Sequence, residues 1–273
     1  MKRIVLSALV VSAFAAVDVS AQAPAAAPAA DAAAPAPPAA AAAPTAADNL
    51  KEGARIVEVD ANTTANLKKA IELLESAVAD ATIPAADRAE GYVALSRAHL
   101  RFGDLKSNND DKIAAYNKGQ AAGLKAVEVA GGKHAMGLFW SAANRGCVGR
   151  TRGVMNSLFM VGDLRKDMNT IIALNPKLHY PRNTLAEIDH AIPGLAGGSD
   201  ERAEKALLEV LAKDPHITST MFLLARVKRD QGKDAEAKVW AQKILDEKSP
   251  TLRNDWRKFD VPDAKKMLAE LAE

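Results

Sequence analysis

Apolar residues recur along this chain at helical spacing. Leu67, Ala70, Ile71, Leu74, Ala77 and Val78 fall at i, i+3, i+4, i+7, i+10 and i+11, one face of a helix. Ala203, Ala206, Leu207, Val210 and Leu211 repeat the pattern, and so do Ala237, Trp240, Ala241, Ile244 and Leu245. Between Asp48 and Glu273 no stretch of four or more positions alternates β-branched and polar residues as a strand would. The pattern predicts an all-α region over 48–273.

Breakers punctuate that region. Asn175-Pro176, Asp214-Pro215 and Ser249-Pro250 each close a helical stretch, and the prolines stand 39 and 35 residues apart. A tetratricopeptide repeat is a helix pair of about 34 residues with a closing Pro. Residues 218–250 fit that unit best. Met221, Leu224 and Ala225 take the large, Leu and small positions of its first helix, Gly232 makes the turn, and Ala237 fills the small crossing position. Lys228 stands where a Tyr is usual. Tyr92, Leu95, Ser96, His99 and Gly103 match a first helix and its turn, followed by a lengthened turn through Leu105 to Asp111 and a second helix over 112–130. Further pairs are expected at 133–145 with 153–175 and at 183–192 with 199–213, and a last helix at 262–272 with Pro262 in its first turn. Ser199 is an N-cap candidate. Stacked pairs of this kind build a tetratricopeptide-like helix-pair superhelix with a concave face.

The first 47 residues read differently. Lys2 and Arg3 precede an apolar run from Ile4 to Val17, and Val19-Ser20-Ala21 offers small residues for cleavage. Residues 1–21 are therefore expected to be a cleaved signal peptide, and the run is short for a spanning helix, which needs about 20 apolar residues. No cysteine follows it, so a lipid anchor at the new N-terminus is not expected. Residues 22–47 are almost wholly Ala and Pro, and six prolines there interrupt the helix the alanines favour. This segment is expected to be a disordered linker or spacer. Together these features predict a periplasmic protein without a stable membrane anchor.

Composition narrows the chemistry. A net charge of +2 over 273 residues lacks the basic excess of a nucleic-acid binder. Cys147 is the only cysteine, which excludes an intramolecular disulfide, a CxxC pair and a multi-cysteine metal site. Its neighbours Gly146, Val148 and Gly149 suggest a tight turn. His99, His134, His179, His190 and His216 form no HxxxH pair, so no metal is expected. Gly131-Gly132 and Gly197-Gly198 lack the Lys-Ser/Thr of a phosphate loop, and Ser141 and Ser199 lack a GxSxG elbow. No catalytic residue and no cofactor is expected. Arg145, Arg150 and Arg152 cluster after Trp140, and with Asn144 they could grip a carboxylate. Phe139, Trp140, Asn144 and Arg145 are the candidate ligand-binding residues, around an apolar pocket between repeats.

One resemblance adds to this. Gly137-Leu138-Phe139-Trp140-Ser141-Ala142-Ala143-Asn144-Arg145-Gly146 forms an aromatic helix ending in Asn-x-Gly. Leu174-Asn175-Pro176 follows, and then the loop Ile192-Pro193-Gly194-Leu195-Ala196-Gly197-Gly198-Ser199, with Asp214-Pro215 beyond. In this order the pieces resemble the T component associated with tripartite ATP-independent periplasmic (TRAP) transporters. The Pro-Gly-x-x-Gly-Gly insertion is the most specific of them. The resemblance implies a non-enzymatic periplasmic helical protein. It would partner a periplasmic solute-binding protein, form a homo-oligomer (a trimer) and shelter a small apolar or amphipathic solute. The alternative is a general periplasmic scaffold that binds peptides or envelope proteins. The two readings differ in the groove they require, apolar for the first and polar, rich in Asn, Lys and Arg, for the second.

Overall fold

The structure, a computed structural model, describes residues 43–272. The expected signal peptide 1–21 and most of the expected linker 22–47 lie outside the described residues. Within them the chain is helical and contains no strand. It folds as consecutive helix pairs: α1 (Ala46–Val59) with α2 (Thr64–Ala79), α3 (Ala85–Asp104) with α4 (Asn109–Val129), α5 (Ala135–Arg152) with α6 (Val154–Leu174), α7 (Tyr180–Ala191) with α8 (Asp200–Lys213), and α9 (Thr218–Asp230) with α10 (Asp234–Asp246). The C-terminal segment holds a single turn, α11 (Arg253–Asp255), a π-helical turn at Trp256–Asp260, and α12 (Val261–Glu270).

Local chemistry sets most of the boundaries. Thr45 and Asp48 form a capping box, so α1 begins at Ala46, inside the segment expected to be linker. Asn108 accepts from the Asp111 N–H at 2.8 Å, which starts α4 early and shortens the expected 105–111 turn. Ser199 accepts from the Arg202 N–H at 3.2 Å, as its position suggested. Asn175 and Asp214 end α6 and α8 in extended conformation ahead of a proline, which disfavours helix in the residue before it. Pro262 lies in the first turn of α12.

The expected turn at Gly146–Gly149 is absent. Helix α5 runs through these residues to Arg152, and the chain reverses at Gly153, whose φ is +112°. The reason is packing. A Cβ at Gly149 would lie 2.3 Å from the Met160 sulfur, so this glycine lets α6 approach α5. It does not break the helix. Cys147 consequently sits within a helix and is buried.

The second helix of each pair packs on the first helix of the next, and first helices also pack on one another: α1 on α3, α3 on α5, α7 on α9. This double contact places the first helices on the inner face of the superhelix. Its core falls into three clusters along the superhelix, one around Ile56 and Leu74, one around Phe139, Trp140 and Ile171, and one around Leu207, Leu224 and Ile244, all buried.

Candidate functional site

The four candidate ligand-binding residues lie in the wall of the superhelix. Phe139 and Trp140 are 0% exposed. Their rings meet edge to face with centroids 5.4 Å apart, Phe139 lies 5.4 Å from the Tyr180 ring, and the Arg97 guanidinium stands 5.4 Å over Trp140. The Asn144 amide donates to the Ser96 carbonyl at 3.1 Å and to the Trp140 carbonyl at 2.9 Å. It thereby ties α5 to α3, where the Ser96 hydroxyl also donates to the Gly119 carbonyl of α4 at 2.6 Å. Arg145 pairs with Asp167 of α6. All four side chains are occupied in holding helices together. Phe139, Trp140 and Asn144 are fully buried, and a ligand would reach the two rings only if the packing opened.

The other candidates have structural partners too. Burial pushes the Cys147 thiol up to about 12, against the pull of Arg150. A thiol so protonated is a poor nucleophile. Burial, with Lys118 adding to it, holds His99 down at about 4, and burial does the same to His179. His134 caps α5 by accepting the Gly137 N–H at 3.0 Å. His190 lies between Asp200, at 2.8 Å, and Asp230, at 3.0 Å. Among the described residues no three His, Cys, Asp or Glu side chains are grouped to hold a metal ion, and no helix is long and apolar enough to cross a membrane.

The inner face carries a second set of buried polar contacts. Thr218 to Ala225 of α9 are all buried in sequence, so this helix has no solvent face there. Part of the cover is the C-terminal segment, which bridges the last pair to the first. The Thr218 hydroxyl donates to the Asp260 carboxylate at 2.6 Å, and the Trp256 indole donates to the Ile244 carbonyl at 2.7 Å. Lys258 donates to the Val59 carbonyl at the end of α1. Arg101 of α3 stacks 4.7 Å over Phe259, and Leu252 joins the core that contains Phe139 and Trp140. Burial pushes the Asp260 carboxyl up to about 6, against the hydrogen bond from Thr218.

The first helices carry polar side chains behind this strap. Asn183 and Thr220 exchange hydrogen bonds at 2.9 and 3.1 Å. Glu187 meets Arg226 at 3.2 Å, and burial still pushes its carboxyl up to about 7. Two cavities adjoin at the Arg101 end. One, of about 390 Å³, is bounded by Val57, Glu58, Lys258 and Phe259. The other, of about 660 Å³, is bounded by Lys112, Tyr116 and Arg150. Arg101 and Asp104 line both. Sequence reading missed this strap. Leu252, Trp256 and Phe259, at i, i+4 and i+7 between Pro250 and Pro262, were the apolar stripe that could have signalled it.

No family model and no curated protein matches the chain. Solved structures do. A thermophilic tetratricopeptide repeat protein from Thermus thermophilus matches with a TM-score of 0.59 at 16% identity, over 80% of this chain and 98% of that one. The chain has a tetratricopeptide-like fold. A tetratricopeptide repeat protein from Parabacteroides merdae matches with a TM-score of 0.37 at 13% identity, over 83% and 92% of the two chains. Neither comparison bears on the transporter resemblance.

Proposed function

We propose that this protein is a non-enzymatic interaction scaffold of the periplasm, binding peptides or envelope proteins on the face formed by its first helices. The observation that carries this reading is the polarity of that face. Arg97 and Arg101 on α3, Asn183, Thr184 and Glu187 on α7, and Thr218 and Thr220 on α9 are groups that can bond a polypeptide; Asn183, Glu187, Thr218 and Thr220 are buried and bonded within the chain, so a partner has to displace those contacts. A channel for an apolar solute would need apolar walls there instead. A partner on this face competes with the strap at 252–260.

A second reading is favoured by the Pro193–Ser199 insertion. This loop is built to one shape: the Ser199 N–H donates to the Asp189 carbonyl at 2.7 Å, Arg202 holds the Asp189 carboxylate at 2.8 Å, and a Cβ at Gly198 would lie 1.7 Å from the Ile192 carbonyl oxygen. It presents Leu195 fully to solvent. In that reading the protein is an accessory of a TRAP-type solute transporter, works as a trimer and docks a solute-binding protein.

One experiment separates the two. The full precursor, tagged at its C-terminus, is purified from the periplasm of its host after chemical cross-linking. Envelope proteins cross-linked to α3, α7 and α9 support the scaffold. A near-stoichiometric solute-binding protein supports the transporter accessory. Cross-links confined to the second helices, or no partner at all, overturn the first reading. Sedimentation that shows only monomer at micromolar concentration removes the trimer.

A further inference from the structure

The strap at 252–260 seats a short run of side chains on the inner face. Its residues Trp256–Asp260 form a π-helical turn, closed by the Val261 N–H donating to the Trp256 carbonyl. Such turns are rare and are frequent at functional sites. Within this turn two neighbouring residues are held by two different first helices. Arg101 of α3 stacks 4.7 Å over the Phe259 ring. Thr218 of α9 donates its hydroxyl to the Asp260 carboxylate at 2.6 Å, and both of those residues are buried. A ring under a guanidinium and a carboxylate on a hydroxyl are contacts that a bound peptide makes as readily as a segment of the chain itself.

The strap fills its place incompletely. Trp256 and Phe259 are only partly buried. A cavity of about 390 Å³ remains, bounded by Lys258 and Phe259 of the strap together with Val57, Ala61 and Leu105. Packed interiors leave few voids larger than a water molecule. Burial, with Asp255 and Asp263 adding to it, also pushes the Asp260 carboxyl up to about 6 against the Thr218 hydrogen bond. Burying this acid offsets part of what its hydrogen bond contributes at neutral pH. A segment held by a few polar contacts over unfilled space is one that local opening releases.

We propose that the inner face between α3 and α9 receives a partner polypeptide segment in which an aromatic residue is followed directly by an aspartate, and that Phe259-Asp260 fills this place while no partner is bound. The proposal rests on the scaffold reading and names the segment that the scaffold takes. Arg101 selects the ring and Thr218 the acid. Because the strap is tethered, its effective concentration is high, so it is displaced by segments that gain more, such as those that also fill the cavity beside Val57.

Fluorescence anisotropy with a labelled peptide copying residues 251–262 tests this on the full chain. The chain carrying Phe259→Ala and Asp260→Ala together no longer fills the place itself. It is expected to bind the peptide with a Kd below about 100 μM, and the unchanged chain at least about tenfold more weakly. Adding Thr218→Val to the doubly changed chain is expected to weaken binding about tenfold, whereas adding Lys238→Gln, on the exposed side of α10, leaves it unchanged. A peptide with Phe259→Ala and Asp260→Ala is expected not to saturate. Circular dichroism establishes that each variant is folded. Should the doubly changed chain unfold, hydrogen exchange of the unchanged chain carries the test: amides of 253–260 are expected to exchange at least about a hundredfold faster than those of 221–227 in α9. Equal affinity of the unchanged and doubly changed chains, equal binding of the two peptides, or equal exchange protection overturns the proposal. Peptide binding with no envelope protein cross-linked to α3 or α9 supports the place and its occupant and removes the envelope-protein reading. Cross-linked envelope proteins without peptide binding overturn this proposal alone.

Discussion

The last helix pair and the central ones reach the same topology by different means. Helices α9 and α10 are 13 residues each, turn at Gly232 with φ +74°, and cross over Ala237. Helices α3, α4 and α5 are 20, 21 and 18 residues long. They cross where there is no room for side chains: a Cβ at Gly123 would lie 2.7 Å from the Ser141 backbone nitrogen. A buried network through Ser96, Gly119 and Asn144 then sets their register. The regular pair needs one permissive turn and one small residue. The longer helices need several glycines and a set of satisfied polar groups, because close backbones leave no space for error. The regular pair has its own departure, since Lys228 replaces the usual Tyr and reaches Glu204 and Glu236 at 2.6 Å each.

The largest test of this contrast compares two tryptophans. Trp140→Ala removes a fully buried ring from the centre and is expected to lower the unfolding free energy by about 3–5 kcal/mol. Trp240→Ala, on a half-buried ring beside Lys243, is expected to cost less than half of that. Urea denaturation measures both, and equal losses would erase the distinction between the regions.

The strap that touches both regions provides the next test. Its Asp260 carboxyl titrates at about 6, against 3.8 for the ordinary group. A raised carboxyl stabilises the fold when protonated, so its contribution is full below about pH 4 and is lost as pH rises through 6. Asp260→Asn keeps an oxygen to accept from Thr218 and removes that loss. The variant is expected to gain about 2–3 kcal/mol relative to the native chain between pH 4 and pH 7, measured by denaturation at each pH. A constant difference across that range would show that the strap holds no buried acid.

Smaller again is a pair of glycine substitutions. Gly123→Ala drives a methyl into the α5 backbone and is expected to cost about 2 kcal/mol. Gly232→Ala meets no atom within 4 Å and strains only a left-handed turn, at about 1 kcal/mol. Thermal melts rank them, and the reverse order would mean that α4 and α5 separate easily. The smallest effect is expected at Leu195→Ser. It should change stability by less than about 0.5 kcal/mol, because the side chain touches nothing that folding buries. Under the transporter reading it should nonetheless reduce recovery of the solute-binding protein in the pull-down.

Much of the architecture was legible along the chain. The stripes at 67–78, 203–211 and 237–245, the Pro-closed helix ends and the Ser199 cap are consequences of neighbours within a turn or two, and residue order alone carries such contacts. The glycines at 146 and 149 were misread because a glycine in sequence looks the same whether it bends the chain or admits a neighbour. Phe139 and Trp140 drew attention as a ligand site for a similar reason. An aromatic pair is apolar in a core and in a pocket alike, and the contacts with Tyr180 and Arg97 place both rings in the packed interior.

The sequence by itself determined that the region is all-α, built of helix pairs with a regular unit near its C-terminal end. Helix spacing, caps and breakers are local, and local order is what a sequence states directly. Only the tertiary structure decided that Arg101, Asp104 and Arg150 share one cavity and that Lys258 reaches Val59, 199 positions away. The first follows from the direct packing of α3 on α5, and the second from the path of all five stacked pairs. No pattern along the chain encodes the sum of so many small rotations.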